Sequence, residues 1–311
     1  MHVLFTIVLP IFALVGAGWA ARYFQFLGPT AAFELNRFVV YLGMPALLFQ
    51  IMVNATWKDL DQPGFAAAFG LGCAVIYAVT VVVRVRKGMP LADASLDGLN
   101  AGYANVGFIG FPLCLAAFGP ASLPLVTLSA ILTVCILFAI AVLLVELGTR
   151  GDGSAASISI KVGFSLLKNP MLMAPLIGVL YGAFAPPLGE GPNRFLTLLA
   201  SAASPCALVS LGAFIASSSV KLEWERLSTL IILKLVAQPA LTWLLATYVF
   251  KLDSLLTAVA VVIAALPTGT GAYMLANMYG RNATTTAASV LVSTVLSVVT
   301  IAILVSKMTG P

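Results

Sequence analysis

Ten apolar runs, each close to 20 residues long, follow one another down this chain. A helix of about that length crosses the roughly 30 Å hydrocarbon core of a bilayer, and backbone inside hydrocarbon has to bond to itself. The runs do not alternate apolar with polar side chains as the strands of a membrane barrel do. The sequence therefore predicts an all-α membrane protein. With 61% hydrophobic and 9% charged residues, 311 residues carry too little charge to cover a soluble domain.

The runs are read at 3–21, 33–52, 64–83, 94–117, 123–147, 170–186, 194–217, 227–250, 254–278 and 284–306. Short connections carry turn residues, such as Gly28-Pro29, Gln62-Pro63-Gly64 and Gly119-Pro120. The longest polar stretch, 148–169, opens with Gly148-Thr149-Arg150-Gly151-Asp152-Gly153-Ser154. It acts as a linker between two sets of five spans, residues 1–147 and 170–311, and its part from Ile158 to Leu167 reads as a short interfacial amphipathic segment. Sorting Lys and Arg by alternate loops puts Arg22, Arg84, Arg86, Lys87, Arg150, Lys161, Lys168, Lys221, Arg226 and Arg281 on one side, ten in all. Lys58, Arg194, Lys251 and Lys307 are the four on the other side. The basic side is the cytoplasmic one, so both termini are expected on the outer face of an inner (plasma) membrane. Residues 1–21 lack a basic leader and are read as a span, not a cleaved signal peptide.

Several chemistries lack their residues. Cys73, Cys114, Cys135 and Cys206 all lie in apolar runs without metal-ligand spacing, and His2 is the only histidine. No disulfide, metal, cofactor or Cys/His catalysis is expected. The net charge of +5 follows from loop cations that report orientation, and calls for no nucleic-acid partner.

The two halves match weakly at a nearly constant offset. Pro10 and Pro175 lie 165 residues apart, and Pro45 and Pro205, which are expected to break spans 2 and 7, lie 160 apart. Gly110 and Gly119 of span 4 match Gly271 and Gly280 of span 9, each 161 apart. Five spans per repeat force the second copy upside down. A 5+5 inverted repeat is the signature of secondary transporters, in which one half-structure rocks against another.

Spans 4 and 9 are the least helical of the ten. Span 4 contains Gly102-Tyr103-Ala104-Asn105-Val106-Gly107-Phe108-Ile109-Gly110-Phe111-Pro112, and span 9 contains Ala264-Ala265-Leu266-Pro267-Thr268-Gly269-Thr270-Gly271. Gly and Pro weaken a continuous helix there. Interruptions are expected near 105–112 and 266–271, because freed backbone at that depth is tolerated against protein or a watery cavity. Half-helix N-termini then suit an anionic substrate. The blander alternative is that these residues serve close packing or a kink.

These residues also carry a resemblance. Asn36-Arg37-Phe38-Val39 followed by Pro45 resembles the second span of PIN-type auxin carriers, and Ala264-Ala265-Leu266-Pro267 followed by Gly269 resembles their ninth-span crossover. Asn105 with Gly110-Phe111-Pro112-Leu113 is similar to their fourth-span crossover, where the Asn contacts the substrate carboxylate. Ser210-Leu211-Gly212-Ala213-Phe214, Lys168-Asn169-Pro170 and Leu176-Ile177-Gly178 match as well. The resemblance is to the auxin efflux carrier family, covers essentially the whole chain, and extends to bacterial members associated with malonate, malate and other small carboxylates. It implies ten helices in a fold like that of bile-acid symporters and sodium/proton antiporters, with helices 4 and 9 broken and crossed. It further implies a scaffold domain (spans 1, 2, 6 and 7), a transport domain (spans 3–5 and 8–10), elevator-type alternating access and a homodimer. Plant carriers have a long hydrophilic loop after span 5; this chain has about twenty residues there, which favours a prokaryotic carboxylate carrier over an auxin carrier.

The candidate substrate-binding residues follow from both lines. Asn105 offers an amide donor to a carboxylate beside Gly107 and Gly110; alternatively it satisfies the broken backbone of its own span. Thr268 and Thr270, set among Pro267, Gly269 and Gly271, offer hydroxyls from the opposing break, with back-bonding to their own helix as the alternative. Lys234, two turns into span 8 with Gln238 one turn deeper, either neutralises a carboxylate, stands in for a coupling ion, or snorkels to the basic side. Tyr103 either lines the cavity or packs, and Asn169 before Pro170 reads as a helix cap as readily as a ligand.

Asp and Glu fall near span ends or in loops, so no carboxylate is expected at mid-membrane to carry a proton. That disfavours a sodium/proton antiporter. A carrier of a small organic carboxylate is the leading reading, with a sodium ion held by carbonyls and hydroxyls left open. A carrier of a bile-acid-like anion and a membrane-embedded carboxylate receptor without transport are the rivals. An intramembrane enzyme lacks a His, paired carboxylates or a Ser–Lys pair, and a channel lacks a charge ring or filter sequence.

Overall fold

The structure is a computed structural model that describes residues 9–54, 61–149, 170–217, 223–281 and 283–308. The secondary-structure elements among the described residues are all helices, apart from one isolated backbone bridge. The helices are α1 (Leu9–Tyr23), α2 (Ala31–Asn54), α3 (Pro63–Arg86), α4 (Leu91–Gly102), α5 (Val106–Phe118) and α6 (Pro120–Thr149). They continue with α7 (Pro170–Phe184), α8 (Glu190–Ser217), α9 (Trp224–Val249), α10 (Ser254–Ala264), α11 (Gly271–Met278) and α12 (Ala283–Met308). Six of them, α2, α3, α6, α8, α9 and α12, are long and apolar enough to cross a membrane, while α5 and α10 are shorter apolar helices.

α3 shows why these helices suit lipid. Phe65, Ala68, Phe69, Gly72, Cys73, Ile76, Tyr77 and Thr80 are buried at the 3–4-residue spacing of one helical face. Yet Leu71, Val75, Val79 and Val82 on the other face are apolar and exposed. A helix on a soluble protein turns polar side chains outward; this one offers hydrocarbon in both directions.

The chain divides into two compact units: residues 1–62, 107–128 and 167–218 in one, and 63–106, 129–166 and 219–311 in the other. In the first, glycines let backbones touch. A Cβ on Gly18 of α1 would strike the Val209 carbonyl of α8, and one on Gly212 of α8 would strike the Val15 carbonyl of α1. Gly178 and Gly182, four apart on α7, do the same against α2, where an added Cβ would stand 2.7 Å from the carbonyl oxygens of Phe49 and Val53. Ser210 Oγ also donates to the Ala32 carbonyl at 2.9 Å.

In the second unit α4 runs buried along much of its length between α3 and α6. A Cβ on Gly98 would meet the Tyr77 ring at 2.8 Å. The Tyr77 hydroxyl and Ser95 Oγ lie 2.7 Å apart, and Ser95 in turn reaches the Ala141 carbonyl of α6 at 3.1 Å. Asp97, which its sequence position put near a span end, is fully buried. Arg226 grips it with Nη2 at 2.7 Å and Nε at 3.0 Å, and Arg84 Nε lies 2.9 Å from it. Burial of the carboxylate is tolerable because two guanidinium groups share it.

Two expectations need correction. Pro45 and Pro205 do not interrupt their spans: α8 runs unbroken through Pro205, and α2 absorbs Pro45 with a wider turn over Val39–Gly43. Pro needs only that the carbonyl facing its missing N–H be relaxed, and one π-type turn does that. The linker, 148–169, lies outside the described residues from 150 onward.

Gly212→Leu is expected to destabilise the fold by about 1–3 kcal/mol or more, because the side chain would enter the Val15 backbone. Gly16→Ala, where an added Cβ meets nothing within 4 Å, is the control. Thermal unfolding in detergent of both variants beside the parent checks the contrast.

Candidate functional site

Two helices of the second unit stop short and pair. α4 ends at Gly102, after which Tyr103 is extended (φ −92°, ψ 103°). α10 ends at Ala264 and helix resumes only at Gly271. Ala104 and Thr268 form an antiparallel bridge: the Asn105 amide donates to the Pro267 carbonyl at 2.9 Å, and the Gly269 amide donates to the Tyr103 carbonyl at 3.0 Å. Each break therefore supplies backbone partners for the other, as groups away from water require.

The remaining backbone groups find side chains. The Thr268 amide donates to Ser293 Oγ of α12 at 3.0 Å, and Thr268 Oγ1 donates to the Asn100 carbonyl of α4 at 2.8 Å. Gln238 Nε2 of α9 donates to the Gly102 carbonyl at 3.0 Å, and Lys234 Nζ to the Ala264 carbonyl at 2.7 Å. These two carbonyls are the last of α4 and α10. Lys234 does not snorkel: it has no solvent exposure. Tyr103 lays its ring on the glycines of the opposite break, so that a Cβ on Gly269 would strike it and one on Gly271 would stand 3.0 Å from its hydroxyl.

One donor is left over. Asn105 is buried, and its side-chain Nδ2 has no hydrogen-bond partner. Its backbone amide, not its side chain, satisfies the broken span. Asn100 Oδ1 and Gln238 Oε1 are buried acceptors without hydrogen-bond partners, on two residues that other atoms tie to the same breaks. A native interior keeps few such atoms without a reason.

Of the residues singled out from sequence, Tyr103, Asn105, Lys234, Gln238, Pro267, Thr268, Gly269, Thr270 and Gly271 belong to this unit. Most of them bond or pack at the paired breaks; Thr270 contributes its carbonyl to the Met274 amide at 3.1 Å in the first turn of α11. Gly107 and Gly110 belong to the other unit, in the first turns of α5. Asn169 lies outside the described residues. The interruption in span 4 occupies Tyr103–Asn105, earlier than the 105–112 expected, and that in span 9 lies close to the expected place.

Sequence reading missed Asn100 and Ser293. The signal was present in α12, where Thr285, Thr286, Ser289, Ser293, Thr294 and Ser297 form a buried hydroxyl stripe within a strongly apolar span. It also missed the ion cluster on Asp97. The described cavities, about 670 and 560 Å3, open around Arg84 and Arg226 at that cluster, and none of the candidate substrate-binding residues lines them. Among the described residues no three His, Cys, Asp or Glu side chains gather where a metal ion would need them.

A chain with these long apolar helices and a backbone-paired break buried among them is a multi-pass helical membrane protein. Residues 3–305 match the family described as "Membrane transport protein", and the chain belongs to it: this is a membrane transporter of the auxin efflux carrier family. It is 28% identical over 303 residues to a Rhizobium meliloti protein named "Putative malonate transporter", covering 95% of this chain and 92% of that one. It is 23% identical to the Arabidopsis thaliana auxin efflux carrier component 8, over 87% of this chain and 88% of the carrier. A mouse lysosomal cholesterol signaling protein is 26% identical over 76% of this chain, which spans 29% of that larger protein.

Ser293→Ala is expected to cost about 1–3 kcal/mol, because it leaves the Thr268 amide buried without an acceptor. Ser297→Ala removes only a back-bond to the Thr294 carbonyl and is expected to cost less than about 1 kcal/mol. Paired chemical-denaturation or melting curves distinguish the two.

Proposed function

We propose that this protein is a secondary transporter that carries a small organic carboxylate anion, of the malonate or malate kind, across the inner membrane. The observation that carries the reading is the buried, unpartnered Nδ2 of Asn105 beside two paired helix breaks. A carboxylate oxygen is the partner such a donor lacks, and a site without bulk water strengthens the bond. The name of the Rhizobium meliloti relative supports a dicarboxylate as the substrate.

The mechanism in this reading is alternating access. Ten helices form the 5+5 inverted repeat, and the broken helices of spans 4 and 9 cross near mid-membrane with Asn105, Thr270 and the N–H group of Gly271 around the anion, while Thr268 and Gly269 hold the two breaks together. Spans 1, 2, 6 and 7 form the scaffold of a homodimer, and the other spans move as an elevator. What supports that division is that α1, α2, α7 and α8 gather in one compact unit and α3, α4 and α9–α12 in the other, although residues 107–128, with α5, cluster with the first.

One other reading has an observation behind it. The mouse relative is named for signaling, which favours a receptor that binds its ligand without moving it. Counterflow separates the two: proteoliposomes loaded with unlabelled malonate are expected to accumulate external labelled malonate, and a receptor accumulates none.

Malonate is expected to raise the melting temperature of the purified protein, with about 2.7 kcal/mol of stabilisation at 100 times its Kd. Asn105→Ala is expected to weaken binding by roughly 1.5–3 kcal/mol, about tenfold to more than a hundredfold, in protein that still melts normally without ligand. Unchanged affinity in that variant would sink the assignment. For the topology, a cysteine introduced at Ser154 in a variant lacking the four native cysteines is expected to resist an impermeant thiol reagent in intact cells. Ready labelling would invert the orientation.

A further inference from the structure

α9 places Lys234 and Gln238 one turn apart, and each serves the C-terminal carbonyl of a different interrupted helix. In an unbroken helix the Ala264 carbonyl would accept from the Thr268 amide and the Gly102 carbonyl from the Val106 amide. Neither amide is available: Thr268 turns to Ser293 and Val106 turns back to the Ala104 carbonyl at 2.8 Å. The two orphaned carbonyls are equivalent, yet one is met by a neutral amide and the other by an amine. Gln238 shows that a neutral donor is sufficient for capping. The amine at 234 therefore brings something that capping does not require.

Its surroundings sharpen the point. Lys234 is fully buried, and among the described residues no carboxylate pairs with it. Helix C-termini supply only about half an elementary negative charge each. An ammonium held by such partial charges retains unbalanced positive charge in a water-poor interior. Along α10 and its continuation, the carbonyl it binds is three residues from Pro267, whose own carbonyl holds the Asn105 amide.

We propose that Lys234 is the built-in cation of this site: its ammonium occupies the negative end of α10 and balances the charge of a bound carboxylate, so the anion binds without a dissolved co-cation. This rests on the carboxylate-carrier reading above. Sodium is thereby unnecessary at the paired breaks, and Gln238 is the neutral counterpart that keeps α4 in place while Lys234 holds α10.

The test measures malonate affinity by calorimetry on purified protein in nanodiscs, in sodium chloride and in choline chloride. Wild-type affinity is expected to agree within about twofold in the two salts. Lys234→Gln, which keeps a donor and removes the charge, is expected to lose at least about tenfold in affinity; Lys234→Arg, which keeps the charge, is expected to bind more tightly than Lys234→Gln. A purely structural cap would instead let Lys234→Gln bind as the parent does, which overturns the proposal. Should neither variant fold, the wild type decides alone: an affinity that falls about tenfold on replacing sodium by choline overturns the built-in cation. A wild type that binds no malonate in either salt counts against the carrier reading, and the ligand-free melting temperature then judges Lys234 separately. A melting temperature indifferent to sodium agrees with a resident cation, and one raised by several degrees in sodium refutes it.

Discussion

In hydrocarbon an amide or carbonyl without a partner costs several kcal/mol, and two helices that stop inside the protein expose such groups in number. The antiparallel pairing of Tyr103–Asn105 with Pro267–Gly269 is the answer to that demand. Much of the second unit can be read as its support. α12 contributes Ser293, α4 contributes the Asn100 carbonyl, and α9 contributes Lys234 and Gln238. Remove the pairing and these four contacts lose their purpose together. A hydrogen-bond set of this kind is cooperative in the sense that each member positions the next.

The same set explains why Asn105 stands apart. Its neighbours in the breaks spend their donors on backbone carbonyls and hydroxyls, leaving over only the acceptor oxygens of Asn100 and Gln238, and its side-chain donor is the one buried side-chain donor there not spent. The site is therefore defined by subtraction: what the fold does not use is available to a ligand. The proposal for Lys234 points the same way, since a buried amine with no carboxylate partner among the described residues is receptive to an anion once it is protonated.

Much of this was legible in the sequence, and the gaps have physical causes. Helix positions were readable because a run of about 20 apolar residues has few alternatives in a membrane chain. That spans 4 and 9 would break was readable from Gly and Pro, but in span 4 the break falls before Gly107, Gly110 and Pro112. A helix ends where its freed backbone finds partners, and those partners are Pro267 and Gly269 of another segment. Pro112 loses little because the wider π-type turn over Val106–Gly110 of α5 relaxes the carbonyl that its missing N–H would have met. Lys234 was undecidable from sequence because its place depends on the Ala264 carbonyl thirty residues away. Asp97 looked like an interfacial residue for the same reason: Arg84 and Arg226 come to it from two other helices.

Those arginines have one more consequence. Of the ten basic residues that bias one side of the chain, Arg84 and Arg226 close on Asp97, and Arg281 approaches Asp93 at 3.5 Å. The positive-inside bias counts Lys and Arg and is almost blind to acidic residues, so in the topology proposed above these three act on orientation while the nascent chain enters the membrane. Once folded, they are tied up in knitting α3, α4, α9 and the turn before α12 to each other. The same guanidinium groups thus serve twice in sequence: first as an address that a translocating segment presents, and afterwards as mortar. A chain that needs its cations at two successive moments has little freedom to trade them for neutral residues, even where the finished protein would tolerate the exchange.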